Sequence, residues 1–206
     1  MTRLRGVAEF ALQDAQDPNA CREALADCME ESERVLTMLN ALMDVAEAET
    51  GAMRLDMMEV SVPEVINSIA DLYEVVAEDK GITVNRDLPH ELLINADRTR
   101  FQQVIANLLD NALKYSGQGR EIEISACEEG VYAFISVSDQ GMGIPPNEIN
   151  KIWDRLYRGD HSRSERGLGL GLSFVRAIVH AHGGTVSVES DLNKGSRFSI
   201  RMPKTM

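Results

Sequence analysis

Asn107, Asn111 and Lys114 fall on one narrow stripe if the run FQQVIANLLDNALKYS is helical, because residues three and four apart share a helix face. Two carboxamide oxygens and an ammonium on one stripe suit a divalent cation and a phosphate: amide oxygen is a hard ligand, and lysine is a point charge. A second stretch, VSDQGMGIPP, ends an alternating run in Asp139 and follows it with Gly141, Gly143 and Ile144. A carboxylate at a strand end accepts from an exocyclic amine, and glycines let backbone approach a flat ligand. A third, RGLGLGLSFV, places Gly167, Gly169 and Gly171 directly before a helical run, where uncovered N–H groups bind phosphate. It is neither a Walker A loop nor a dinucleotide fingerprint, because no Gly-Lys-Ser/Thr follows and the spacing differs. Taken singly, each stretch has an ordinary reading: a wet helix face, an Asp-Gly turn, a glycine-rich loop. Between the last two, Arg155, Arg158, Arg163 and Arg166 face only Asp160 and Glu165, a locally basic loop in an acidic chain.

The elements that must hold these residues are legible from periodicity. Phe101, Val104, Ile105, Leu108, Leu109, Ala112 and Leu113 form one apolar face, so a helix is expected from its N-cap Asp97 to about Tyr115. A helix is expected at 62–79, with Pro63 in its first turn, and another at 168–182, closed by Gly183-Gly184. Strands are expected at 82–86 and 92–95 and in EIEISAC, VYAFISVSD, TVSVES and RFSIRM. This pattern predicts an α+β sandwich, a mixed sheet with helices on one face, over residues 56–206. Ahead of it, 1–16 and 20–50 read as two helices, a hairpin over residues 1–51. The seam Leu25, Cys28, Ser32, Val35, Leu39, Leu42, Ala46, widened by Met29, Leu36 and Met43, suits a four-helix bundle made with a second copy. The first helix opens without a good cap: Thr2 is followed by Arg3 and Arg5, the wrong charge for a helix start.

A net charge of −12 argues against non-specific nucleic-acid binding. With 44% hydrophobic and 26% charged residues, no signal peptide and no apolar run long enough to span a bilayer, the chain reads as a globular protein of a reducing, cytoplasmic compartment. Cys21, Cys28 and Cys127 make no disulfide framework, and Cys21 and Cys28 read as small residues of the helical seam. His90, His161, His180 and His182 show no metal-ligand pattern. His180 and His182, two apart, point to different faces of one helix.

The order of the stretches resembles the catalytic domain of sensor histidine kinases of two-component systems. NLLDNALKY resembles the N box, DQGMG the G1 box, IWDRLYR the F box and GLGLGL the G2 box. The resemblance implies an α/β sandwich of the gyrase, chaperone and histidine-kinase ATPase type, binding ATP and Mg2+. It implies that Asp139 reads the adenine amine, with Gly141, Gly143 and Ile144 lining the base. Asn111, assisted by Asn107, holds Mg2+, and Lys114 and Tyr115 meet the phosphates and the ribose or base. Gly167, Gly169 and Gly171, with Leu168, Leu170 and Leu172 between and after them, carry the phosphate side. Residues 146–166 form a lid, with Arg158 and Arg163 reaching the γ-phosphate. Trp153 stands where phenylalanine is usual, and Leu168 where a hydroxyl residue is common. The family's phosphoacceptor His is expected just upstream of Met1, so the chain as given should bind ATP without phosphorylating itself. The partners implied are the receiver domain of a response regulator and a second copy through the hairpin, with any membrane attachment upstream. Gyrase-like ATPases place a glutamate where Asn107 stands, which argues for transfer over hydrolysis. Anti-sigma serine kinases lack the long hairpin. A pseudokinase that docks a response regulator without transferring phosphate is the alternative.

Overall fold

The computed structural model describes residues 18–159 and 169–205. The expected helix over 1–16 lies outside them. Helix α1 runs from Pro18 to Thr50. Backbone contacts group the chain into two units, divided between Met43 and Asp44. In the first, Leu25, Met29, Leu36, Leu39 and Met43 are exposed along α1. Ser32 and Thr37 satisfy their hydroxyls by donating to the carbonyls of Cys28 and Glu33, four residues back, at 2.7 and 2.8 Å.

The second unit holds the remaining elements in the order β1 (Met57–Ser61), α2 (Val62–Lys80), β2 (Thr83–Asp87), β3 (Leu93–Asp97), α3 (Arg98–Tyr115), β4 (Glu121–Glu129), β5 (Tyr132–Asp139), α4 (Gly171–Ala181), β6 (Thr185–Asp191) and β7 (Gly195–Pro203). The five-stranded sheet has the order β2-β4-β5-β7-β6. Only the β2–β4 pair is parallel; the other pairs are antiparallel. β1 and β3 form a separate antiparallel pair.

Strand alternation decides which face is covered. Ile122 and Ile124 of β4, Ile135 and Val137 of β5, and Ile200 of β7 are 0–1% exposed and point to the helices. They meet Phe101, Ile105, Leu108 and Leu109 of α3 and Val175 and Ile178 of α4 in one core. Each such side chain contributes about 1.5–3 kcal/mol by leaving water.

Capping sets the helix ends. Ser61 accepts from the Glu64 N–H at 3.4 Å to start α2, and Gly81, at φ 63°, stops it by donating to Ala77 and Glu78 carbonyls. Asp97 starts α3 by accepting from the Arg100 N–H at 3.0 Å. Two elements depart from expectation. β1 is absent from the sequence pattern; its burial shows no alternation, since only Val60 is buried, and its partner β3 is distant in sequence. α4 begins at Gly171 rather than 168: Gly169 has φ 70°, outside the helical region, and Leu170 is the cap residue.

Candidate functional site

The asparagines of α3 meet the start of α4. Asn107, Asn111 and Lys114 are all half-buried along the stripe that their spacing requires. Asn107 donates from Nδ2 to the Gln103 carbonyl at 2.8 Å, which orients the amide. Its Oδ1 faces Gly171: a Cβ on that glycine would stand 2.8 Å from Asn107 Oδ1 and 3.8 Å from Asn111 Nδ2. A 2.8 Å carbon–oxygen approach is tighter than van der Waals contact, so any side chain at 171 would displace the Asn107 amide from this position. Among the described residues no side chain caps α4. Its first N–H groups, with the positive end of the helix dipole, therefore face the region beside the two carboxamides. Leu170, 4% exposed, anchors this end in the interior, and Leu172 is half-buried.

Asp139 ends β5 at 8% exposure. Burial pushes its carboxyl above the ordinary carboxylate range, while the N–H groups of Gly141 and Ser196 pull it back. The Gly141 N–H donates to Oδ1 at 2.8 Å. A side chain on Gly141 would collide with the Tyr115 carbonyl oxygen and with Asp139 itself. That carbonyl accepts from the Met142 N–H at 3.3 Å, so the end of α3 is tied to the 139–144 loop. Tyr115 and Lys114 lie together there, the ammonium 5.7 Å from the ring centre.

The turn between β6 and β7, which sequence reasoning does not connect to the site, clamps the same loop. Gly143 sits at φ 68° against the Asp191 carbonyl, where no side chain fits. The Asn193 N–H donates to the Met142 carbonyl at 2.7 Å, and the Ile144 N–H donates to Ser190 Oγ at 2.8 Å. Gly195, at φ 106°, lies on the Asp139 carbonyl. The Asn-Lys-Gly run marks a turn, but nothing local says which loop that turn touches.

The aromatic-arginine segment is placed by its apolar residues. Trp153 and Ile152 pack on the core, and Trp153 meets Phe198 edge-on at 6.1 Å and 84°. Arg155 pairs with Glu49. Gly169, against the Leu156–Tyr157 backbone, brings the glycine run to this segment: a Cβ there would stand 2.6 Å from the Tyr157 carbonyl oxygen. Arg158 is half-buried. Arg163, Gly167 and Leu168 lie outside the described residues.

Among the described residues no cluster of three or more His, Cys, Asp or Glu side chains could hold a metal. The hard donors at the junction are the two carboxamides. They fit Mg2+ shared with phosphate oxygens and do not fit a soft transition metal. Among the described residues no helix is long and apolar enough to cross a membrane.

A family model described as histidine kinase-, DNA gyrase B- and HSP90-like ATPase matches residues 96–206, which contain Asn107, Asn111, Asp139 and Gly171. The sensor protein SrrB of Staphylococcus aureus is 30% identical over 204 residues, covering 98% of this chain and 35% of its own. The chain thus spans about a third of the length of that relative. Full-length ShkA, solved in complex with AMPPNP, superimposes with a TM-score of 0.80 at 25% identity, over 100% of this chain and 44% of its own. Histidine kinase ThkA, solved in complex with the response regulator TrrA, gives a TM-score of 0.71 at 25% identity, over 99% and 59%.

Proposed function

From a chain that belongs to the histidine kinase-, DNA gyrase B- and HSP90-like ATPase family, we propose the ATP-binding and helical part of a sensor histidine kinase. It transfers the γ-phosphoryl of ATP to a histidine of the dimerisation helix, expected just upstream of Met1, and from there the phosphoryl passes to an aspartate of a response regulator. The observation that carries the reading is the junction of Gly171 with Asn107 and Asn111, a helix N-terminus set against paired carboxamides.

The residues divide the work by chemistry. Asp139 accepts from the adenine amine, and the loop held by Gly141, Gly143 and Ile144 lines the ring. Tyr115 lies at the end of α3 beside that loop, where the ribose or base is met. Asn111 and Asn107 hold Mg2+ through amide oxygen. The ion's contribution, when bound, is charge neutralisation across the phosphates. Lys114, Arg158 and Arg163 supply further positive charge to the phosphates, and Gly167, Leu168, Gly169, Leu170, Gly171 and Leu172 present backbone N–H groups to them. Phosphoryl transfer needs chiefly positioning and charge stabilisation, which these groups supply. Residue 107 is an amide, not a carboxylate, so it is a poor base for activating water. That favours transfer to a protein acceptor over rapid hydrolysis.

We assign residues 1–51 to a dimerisation hairpin and 56–206 to the catalytic domain. The exposed stripe Leu25, Met29, Leu36, Leu39 and Met43 on α1 supports pairing with a second copy. ThkA's complex with TrrA supports a receiver-domain partner. The site of action is cytoplasmic, where ATP and receiver domains reside.

The test is label transfer from radiolabelled ATP with Mg2+, comparing this chain with a form extended upstream by its gene's own sequence. Acid-labile, alkali-stable label on the long form alone is the expected outcome. ATP binding without label on the long form would replace the kinase by a nucleotide-gated scaffold. Rapid ATP turnover by the short chain would replace it by a hydrolase.

A further inference from the structure

His182 is one of the few buried polar residues, 5% exposed, and the nucleotide chemistry above does not use it. It lies just past the end of α4 and faces the start of α3. Its Nδ1 meets the Ile178 carbonyl at 2.8 Å, and its Nε2 stands 3.0 Å from the Asp97 backbone nitrogen. A carbonyl only accepts, and a backbone N–H only donates. The ring is therefore neutral, protonated on Nδ1 and accepting on Nε2. Asp97 is the residue whose carboxylate starts α3, accepting from the Arg100 N–H through Oδ1 and from the Asp56 N–H through Oδ2 at 3.1 Å.

Beside the shared apolar core, two polar-edge contacts between α3 with its cap and α4 lie at opposite ends of α4. At its start Gly171 rests on Asn107 and Asn111; at its end His182 holds Asp97. α4 thus runs antiparallel along α3, and the contacts are separated by roughly 16 Å of helix. A rigid helix pinned at the far end sets the angle at which its N-terminus faces the asparagines.

We propose that His182 is a positioning residue for the nucleotide site, a neutral-imidazole pin between α4 and α3 whose protonation loosens the phosphate-side junction. The inference rests on the nucleotide reading above. Protonation at Nε2 turns the acceptor into a donor facing another donor, so the Asp97 N–H loses its partner and a charged ring is left buried. Burial holds the ring below its ordinary 6.5, although the Ile178 carbonyl and the Asp97 carboxylate oppose that. At higher pH the ring is neutral whether pinned or released. As pH falls below the ordinary value, the released form takes up the proton first and the pinned form loses ground.

The charged groups nearest the ring are held in bonds of their own. The Asp97 carboxyl feels burial most, but the N–H groups of Arg100, Asp56 and Thr99 and the Arg100 charge outweigh it and hold it below the usual carboxylate range. Arg100 is paired with Asp44. On β7 and its extension Met202 and Pro203 border Gly184 and Gly183, and Lys204 is paired with Glu128. The near end of β6 is Thr185 to Val188, without charge.

The experiment is calorimetric titration with AMPPNP and Mg2+ from about pH 7.5 down to about pH 5.5, on the wild-type chain and His182→Gln, with folding followed by circular dichroism. Glutamine keeps an acceptor oxygen near Nε2 and does not titrate. Both proteins share any dependence from the nucleotide's terminal phosphate and from Asp139, so the difference isolates the ring. The expected result is affinity within about threefold at the higher pH, and a fall through the acid range about tenfold steeper for wild type than for His182→Gln, while both stay folded. Parallel curves overturn the inference. No binding by wild type at any pH overturns the nucleotide reading instead. His182→Phe, which fills the space without an acceptor, should bind weakly throughout; wild-type affinity in a folded His182→Phe also overturns it.

Discussion

Replacing Asp139 by asparagine should move stability and nucleotide affinity in opposite directions. The carboxylate is 8% exposed, and burial raises its folded value above the ordinary 3.8. A carboxyl raised on folding detracts from stability at neutral pH, and that deficit closes as pH falls through the folded value toward the unfolded one. The substituted amide would carry no charge to bury, and its one oxygen would still accept from the Gly141 and Ser196 N–H groups. Melting temperature at neutral pH should therefore stay level or rise, and the gap from wild type should shrink on acidification. Binding behaves otherwise. With the oxygen committed to those donors, the amide NH2 would meet the adenine NH2, donor against donor. The lost charge-assisted bond is worth about 1.5–3 kcal/mol, roughly 10- to 150-fold in Kd for AMPPNP. Asp139→Ala is the contrast. It leaves the Gly141 and Ser196 N–H groups without an acceptor, at about 1–3 kcal/mol each, so stability and affinity should fall together. Thermal melting and calorimetry on the three proteins decide it. An Asp139→Asn chain that melts lower yet binds as wild type would refute both the burial argument and the base-reading role.

Two further outcomes are expected. Gly171→Ala places a Cβ 2.8 Å from Asn107 Oδ1; the helix gains up to about 1 kcal/mol of propensity against the clash, so melting should change little while AMPPNP affinity drops about tenfold or more. Equal affinity would show that the junction does not face the phosphates. Arg100 holds Asp44 through two bonds of 2.6 and 2.8 Å, with side chains 25% and 20% exposed; a double-mutant cycle with alanine should give a coupling of about 1 kcal/mol in denaturant melts, falling with salt, and zero coupling would make the pair decorative.

What can be read from the residues alone divides along a physical line. α2 and α3 announce themselves because apolar period and caps agree: Ser61 with Pro63, Asp97 with the Phe101 to Leu113 face. The residues proposed to face the nucleotide are legible for a related reason. In that proposal Asp139, Asn107, Asn111 and the glycines owe their types to chemistry at their own positions, so their spacing survives in one dimension. β1 is hidden because it pairs with β3 across more than a helix of intervening chain, with only Val60 buried to mark it. Ser190, Asn193 and Gly195 are hidden because their task, clamping the 139–144 loop, is defined by a contact far away in sequence. The role of His182 is hidden in the same way. Its partner is a backbone N–H, and no spacing rule points to a backbone N–H 85 positions earlier.

The amide at position 107 ties these levels together. A carboxylate there would set a full negative charge against the uncapped start of α4, where it would both satisfy the helix dipole and oppose an anionic ligand. Asn107 instead turns its NH2 back to the Gln103 carbonyl and offers only a neutral oxygen to the Gly171 side. The dipole of α4 is then opposed by no fixed anion at that position. In the proposed kinase such a site would hold the nucleotide intact until an acceptor side chain arrives. The same neutrality explains why position matters more than charge along this seam. A junction of one oriented amide and one glycine leaves little slack for a change in helix angle, which is the basis of the role proposed for the buried imidazole at the opposite end of α4.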